Sequence, residues 1–374
     1  MKTKITCSRS IGAHFTALGL AAVSICAANA ATNETVLPVG MKEVAKNRLS
    51  LSYRLGLNIT ADFRRLGGFP AATDPGADSG AAVDRNYDNG YNRVDITGND
   101  HEPGFPDTTW NWGFQGGSSV QGGGIVLQSS SSPANAVSKN NDDGVNHGFE
   151  LSHQRELKRG EKWRGGLEVA FGFTTLTISD SRVLQNEVNL ITDTFTVPGG
   201  VEAVPGYPFG PNDSYSGSYA APGALMDSSL DPGQRVRSTV TSVTTITGAR
   251  KLDAIIYLIR LGPYVEFPLT EKIALFVNAG LNLAIGDTTF TYTETVAYNG
   301  ATRAVRSASG SQLDVLVGAY AGGGLSYAIN EKWGVFAGAQ FQTAGRSFNN
   351  QGGKESVLDM GATVVVTVGV SRSW

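Results

Sequence analysis

The sequence predicts an all-β protein: a closed antiparallel transmembrane up-and-down β-barrel of about eight strands, with ten to twelve as the alternative count. Three observations carry this. Long stretches alternate apolar and polar residues almost without a break, Val365 being an exception, the period of a β-strand with one apolar face. These stretches come in pairs joined by tight charged turns at one end and mostly long Gly-, Ser-, Asn- and Asp-rich loops at the other. The aromatics Trp163, Phe267, Tyr327, Trp333 and Trp374 all fall at the tight-turn end, where an interfacial girdle belongs.

Residues 1–30 read as a secretory leader. Lys2, Lys4 and Arg9 supply the positive start, Ile11 to Ala27 is mostly apolar, and Ala28-Asn29-Ala30 gives small residues at a cleavage site. Ile25 before Cys26 is too bulky for a lipobox. Both cysteines, Cys7 and Cys26, lie in this leader, so the mature chain is expected to hold no disulfide and no thiolate metal site. Its removal takes the formal charge from −3 to −6, which argues against nucleic acid as a partner. After the leader no apolar run reaches the ~18 residues of a membrane helix. Residues 31–47 read as a short lead, and 48–374 as the barrel.

The first strand runs from Arg48 to Phe63. Leu49, Leu51, Tyr53, Leu55, Leu57, Ile59, Ala61 and Phe63 alternate with Ser50, Ser52, Arg54 and their like, longer than the ~9–11 residues a tilted strand needs to cross a bilayer. Three hairpins follow. The first turns at Lys158 to Lys162, between Phe149–Leu157 and Trp163–Phe173. The second turns at Pro268 to Lys272, between Ile255–Phe267 and Ile273–Ile285. The third turns at Asn330-Glu331-Lys332, between Leu313–Tyr327 and Trp333–Phe341. The last strand, Leu358 to Trp374, sets Leu358, Met360, Ala362, Val364 and later even positions on one face, and Thr363, Thr367 and Gly369 on the other. It is expected to close the ring against the first strand, leaving no free edge.

The connections opposite the tight turns fall near 64–144, 180–250, 288–311 and 345–355. The third reads as a tall hairpin with an Asn299-Gly300 tip. Arg85 to Thr97 and Val183 to Val197 have β character, but neither has a lipid-compatible face, so both are placed above the membrane.

A soluble barrel would turn its apolar face inward and show Lys and Glu to solvent. Here the polar face is small, with Gly172, Gly262, Gly280, Asn278, Asn282 and Gly318 on it, which suits the crowded bore of an eight-stranded barrel. The apolar face is therefore read as facing lipid.

Thr367, Gly369 and Trp374 resemble the C-terminal strand of bacterial outer-membrane β-barrels, whose terminal aromatic is read by the barrel assembly machinery; Arg372 stands where that pattern has a hydrophobic residue. In architecture the mature chain resembles the small OmpA- and OmpX-type barrels. The resemblance implies a cell outer-membrane location, periplasmic short turns and extracellular loops. It specifies a class rather than a function.

Arg54, Glu150, Glu168 and Arg260 share the inner face at similar heights and are expected to pair as a lumen charge network that plugs the bore, with a gate for a small conductance as the sharper alternative; Gln340 lies at a like level. His153 and Arg155 fall on the lipid face near the turn end, and His147 at the opposite rim. His101 beside Asp100 and near Asp107 is a thin catalytic signal; loop clusters of this kind are usually solvated turns, and no enzyme is expected. Asn140 to Gly144 reads as a turn before a cation site, and Gly122-Gly123-Gly124 has no phosphate-loop context. No cofactor or metal is expected. Tyr87, Tyr91, Trp110, Trp112 and Phe114 cluster in the first loop, either as a binding patch for an extracellular protein or glycan, or as the loop's own packed core or the outer aromatic girdle. Three roles fit the sequence: a structural or surface-interaction barrel presenting long loops, a narrow pore for small solutes, and, last, an outer-rim hydrolase or acyltransferase.

Overall fold

The computed structural model describes residues 46–72, 85–93, 108–142, 144–218, 223–227 and 235–374. The leader, the lead up to residue 45, the Asp100–His101–Asp107 group and Asp143 lie outside these residues. Within them the chain is antiparallel β-structure, and no helix is long and apolar enough to cross a membrane.

Eight strands pair in a cycle. In order they are Asn47–Leu57, Asn146–Arg159, Arg164–Asp180, Arg250–Pro268, Ile273–Tyr298, Ala301–Ala328, Trp333–Thr343 and Thr363–Ser373. Each pairs with the next, and the eighth pairs with the first from Arg48↔Ser373 to Leu57↔Val364. The tight turns between them are the ones the sequence indicates. At this end Asn47 and Trp374 exchange two backbone hydrogen bonds of 3.2 and 3.0 Å, fastening the seam.

The ring is lopsided. Its fifth and sixth strands rise far beyond the others and turn at Asn299-Gly300, both at positive φ (48° and 76°), as a two-residue hairpin turn requires. The first, seventh and eighth strands stop early, at Leu57, Thr343 and Thr363. Their chain continuations bend inward at one level. Ala344 N donates to Met360 O (3.0 Å), Met360 N to Gly345 O (2.9 Å), and Asn58 Nδ2 to Ala362 O (2.7 Å).

This corrects the two terminal strands as read from alternation. The first strand does not run to Phe63. Asn58 adopts φ 63°, and beyond it the parity reverses: Ile59, Ala61 and Phe63 point inside instead of outside. The last strand does not begin at Leu358. Leu358 and Met360 are buried, and a turn through Gly361 separates them from the outward valines. A one-residue reversal moves every later side chain to the other face, and these residues gain more by burial inside than at a polar outer rim.

The bent-in segments form a four-stranded sheet in the order Arg346–Gln351, Lys354–Asp359, Thr60–Leu66, Ala136–Asn141. It packs on the inner face of the tall wall, with Phe63 stacked on Phe290 at 5.6 Å among Leu66, Ile178, Ile246 and Leu252. Burying each such side chain contributes about 1.5–3 kcal/mol. The upper bore is thus filled by apolar side chains, where the sequence reading expected small polar ones throughout.

The long connections fold as well. Leu184–Thr196 lies between Arg235–Thr247 and Gly124–Ser131, and Thr245 to Thr247 join this layer to the fifth ring strand. It stands beyond the ring, as expected for the Val183–Val197 segment. Arg85–Tyr87, Gly90–Asn92, Trp112–Phe114 and Tyr215–Ser216 make a small sheet over it.

Candidate functional site

Inside the ring, ionic and apolar layers alternate. Nearest the tight turns, Glu266 receives Arg48 (2.9 Å) and Arg164 (2.7 Å). Outside it opens a vestibule of about 530 Å³, rimmed by Trp163, Trp333, Lys46 and Arg159.

One level deeper stand the four charges named from the sequence, all buried. Arg54 Nη1 meets Glu150 Oε2 at 2.9 Å. Arg260 reaches Glu150 through Nη2 (2.5 Å) and Nε (3.1 Å), and its Nη1 lies 3.4 Å from Glu168 Oε1. Glu168 also accepts from Gln154 (2.6 Å) and Asn278 (3.0 Å). Arg260 lies over the Tyr320 ring at 4.5 Å. Two acids face two guanidiniums, so the buried charges balance. Gln340 lines the same region, in a cavity of about 50 Å³ bounded by Glu150, Glu168 and Arg260. A second cavity, about 40 Å³, lies on the Arg54 side against Ile59, Ile256 and Met360. The Arg54–Glu150–Arg260 cluster stands between them.

Above the apolar plug come two further ionic groups. Glu294 holds Lys354 Nζ (2.8 Å), with Arg306 at 3.6 Å, and accepts from the Gly67 amide (2.9 Å). Asp180 pairs with buried Arg250 and with Arg182 (2.8 Å). Burial pushes the Asp180 carboxyl up, but hydrogen bonds from Arg182, Ser138 and Arg250 outweigh it and bring the pKa down to about 2.

Sequence reasoning missed Arg48, Arg164 and Glu266, although the signal was there. Arg48 shares parity with Arg54, Arg164 with Glu168, and Glu266 with Arg260. Glu294, Lys354, Asp180 and Arg250 gave no such signal, because their contacts depend on how the bent-in sheet docks.

The outer face of the ring is apolar and exposed. Leu51, Leu151, Leu261, Leu281, Val317 and Val368 are each between 37 % and 73 % accessible, far more than isolated surface residues explain. Phe267, Tyr327, Trp333 and Trp374 ring the tight-turn end, all exposed. Arg372 lies over the Trp333 ring at 5.7 Å, which accounts for a cation at a position where a hydrophobic residue was expected. His153 packs against Trp374 at 6.1 Å, and His147 hydrogen-bonds Tyr53. Thr367 and Gly369 turn inward, Gly369 beside the Phe336 ring.

The five loop aromatics do not form one surface. Trp112 (0 % accessible), Phe114 and Tyr87 are interior, packed with Phe195, Tyr215 and Met226. Trp112 Nε1 donates to Ala224 O (2.8 Å), and Tyr87 Oη donates to Asp193 (2.6 Å), itself held by Arg237 (2.7 Å). Burial and the Asp193 carboxylate push the Tyr87 phenol well above its usual range. Only Tyr91 and Trp110 are partly exposed. Three of the five rings thus make a loop core, one of the readings the sequence offered. Asp142 Oδ1 caps the Gly144 amide at 2.6 Å, a turn. Among the described residues no cluster of three His, Cys, Asp or Glu side chains is placed to hold a metal.

An antiparallel ring with charge inside and an apolar belt outside is the geometry of a barrel that crosses a lipid bilayer. No protein-family model matches the chain, and no curated protein matches it. Among solved structures it is similar to Ail, the attachment invasion locus protein of Yersinia pestis, in complex with the heparin analogue sucrose octasulfate (9 % identity, TM-score 0.27, covering 88 % of this chain and 99 % of that one). It is also similar to the outer membrane protease OmpT of Escherichia coli (8 %, TM-score 0.30, 88 % and 96 %). A third is the translocator domain of the autotransporter NalP from Neisseria meningitidis (11 %, TM-score 0.21, 97 % and 96 %). Likeness at this level says nothing of shared activity; the ring is read from its own strand pairings.

Proposed function

We propose that this chain is an integral protein of the bacterial outer membrane, an eight-stranded barrel whose role is to anchor and display its folded loop layer. The short turns face the periplasm and the loops face outward. The observation that carries this is the contrast between the two ends of the molecule. The bore is crossed by the Arg54–Glu150–Arg260–Glu168 cluster and then filled by Phe63, Ile59 and Met360. The loops, in contrast, have built a second apolar core of their own around Trp112. A chain selected for conduction has no use for a filled bore; one selected for display needs a rigid base and an ordered platform. Lipid covers the outer belt, and Thr367, Gly369 and Trp374 are the residues offered to the barrel assembly machinery. The loop layer is the surface that would meet an extracellular protein or glycan.

Outer-membrane fractionation followed by heat-modifiable gel mobility tests the barrel. Planar-bilayer recording of the purified chain tests the role. Silent bilayers are expected, and steady channels altered by Glu168→Gln or Arg260→Gln would replace display with a narrow pore.

A further inference from the structure

The strand Arg235–Thr247 has an open edge. One side pairs along its length with Leu184–Thr196, from Phe195↔Arg235 to Leu184↔Ile246. On the other side only Thr245, Ile246 and Thr247 have a partner among the described residues, the fifth ring strand near its Asn299-Gly300 tip. From Arg235 to Thr244 the strand has no further partner on that side among the described residues. Val236, Val240 and Val243 there are 59 %, 55 % and 54 % accessible, so among the described residues nothing covers these side chains.

Natural edge strands are blunted by Lys, Pro, bulges or inward charges, because a bare row of N–H and C=O groups recruits another strand. From Ser238 to Thr247 the strand carries none of these, and of the two cations before it Arg235 is buried and Arg237 is held by Asp193. The sequence from Ser238 to Thr247 is Ser-Thr-Val-Thr-Ser-Val-Thr-Thr-Ile-Thr, uncharged and β-branched everywhere except Ser238 and Ser242. Such a segment is a template for strand addition.

Its register and direction select the occupant. Antiparallel pairing with an identical strand about Val240 sets Val240 on Val240, Thr239 on Thr241, Ser238 on Ser242, and Val236 on Thr244. Arg237 meets Val243, so no like charges oppose, and Arg237 is already neutralised by Asp193. The window Val236 to Thr244 coincides with the open edge, roughly 30 Å at strand rise. The strand runs antiparallel to a ring strand, so its direction is tied to the barrel axis. An antiparallel pair of these strands therefore inverts one barrel against the other. Two copies in one membrane cannot do that; two copies on facing membranes must.

We propose that the open edge of Arg235–Thr247 is a homophilic adhesion site, at which copies on two apposed outer membranes join by antiparallel strand addition. This rests on the outer-membrane reading above and names its partner: a second copy of this chain. One strand pair is weak, but many copies between two surfaces act together.

The test uses the full mature chain in two populations of liposomes carrying different fluorophores. Wild-type vesicles are expected to co-cluster, and Val240→Lys with Ser242→Lys to reduce clustering at least tenfold while heat-modifiable mobility is retained. That retained mobility separates failure of this proposal from failure of the barrel reading. Val240→Cys is expected to give an oxidised dimer linking the two populations, since the residue faces itself across the two-fold, whereas Ser238→Cys is not. Wild-type vesicles that stay dispersed, clustering unaffected by the lysines, or equal cross-linking at both positions would overturn the proposal, as would an edge that captures only a foreign polypeptide.

Discussion

Arg260 and Glu150 meet through two hydrogen bonds, 2.5 and 3.1 Å, deep inside the ring, and Arg54 shares the same carboxylate at 2.9 Å. The arrangement is unequal. Arg260 has a second acid, Glu168, at 3.4 Å, whereas the ion pair of Arg54 is with Glu150. Removing one partner of a buried ion pair strands the other charge, at a cost of about 3–5 kcal/mol. Glu150→Gln is therefore expected to lower the urea-unfolding free energy in micelles by about 3 kcal/mol. Glu168→Gln leaves both guanidiniums an acid and should cost less. Equal losses would show that the two carboxylates are interchangeable.

Asn58 sets which residues enter the bore. It sits at φ 63° and donates Nδ2 to Ala362 O, tying the first strand's bend to the eighth's. Asn tolerates this left-handed conformation; a β-branched residue does not. Asn58→Val should cost about 1–2 kcal/mol for the backbone, on top of the lost hydrogen bond. Asn58→Gly should lose chiefly the hydrogen bond. Matching urea midpoints for the two variants would mean the bend is not governed by φ.

The same residue shows where sequence reasoning reaches its limit. Alternation located all eight ring strands and the three tight turns, because a half-buried strand writes its period into the chain. It also placed Arg54, Glu150, Glu168 and Arg260 on one inner face, since counting by two from a turn gives both face and height. It could not show that the run Leu49 to Phe63 changes face midway. Ile59, Ala61 and Phe63 continue the apolar period without interruption, and one backbone rotation at Asn58 turns them inward. Trp112 was equally ambiguous: an aromatic in a polar loop reads the same whether it meets a partner or its own loop. Its placement was decided by Phe195 and Met226, distant in sequence.

Asp180 gives the upper bore a pH dependence. Its folded pKa, about 2, lies below the ~3.9 of a free Asp carboxyl. A depressed carboxylate contributes stability that is fully present above the unfolded value and is lost as pH falls through the folded one. The window is thus about pH 4 down to about 2, and the contribution about 2 kcal/mol. Asp180→Asn should destabilise at pH 6 by leaving buried Arg250 without its acid, and should flatten the stability profile across that window. Unfolding curves at pH 6, 4 and 2.5 test this; an unchanged slope would assign the acid sensitivity to another carboxylate.

Trp112 should matter to the loop layer and not to the ring. It is fully buried, and its indole N–H is satisfied by Ala224 O at 2.8 Å. Trp112→Ala empties the centre of that core, a change that costs about 3–5 kcal/mol. Because the loop core is separate from the bore core, the cost should fall locally. Limited proteolysis is expected to cut the loops of this variant faster than wild type while heat-modifiable mobility is unchanged. Loss of both together would make the two cores one cooperative unit.

Trp374 is the closing residue of the seam and, in the proposed function, the aromatic offered for assembly. Its side chain is 55 % accessible and touches His153, so little packing depends on it. Its backbone shares two hydrogen bonds with Asn47, at the end of a seam held by many others. Deleting it should therefore change the stability of refolded protein by about 1–3 kcal/mol, the net worth of two hydrogen bonds. The amount reaching the outer membrane should fall far more steeply. Trp374→Phe keeps an aromatic and should restore that amount, whereas Trp374→Ser should not. Normal outer-membrane levels of the deletion would refute the sorting role and leave Trp374 as an interfacial anchor alone.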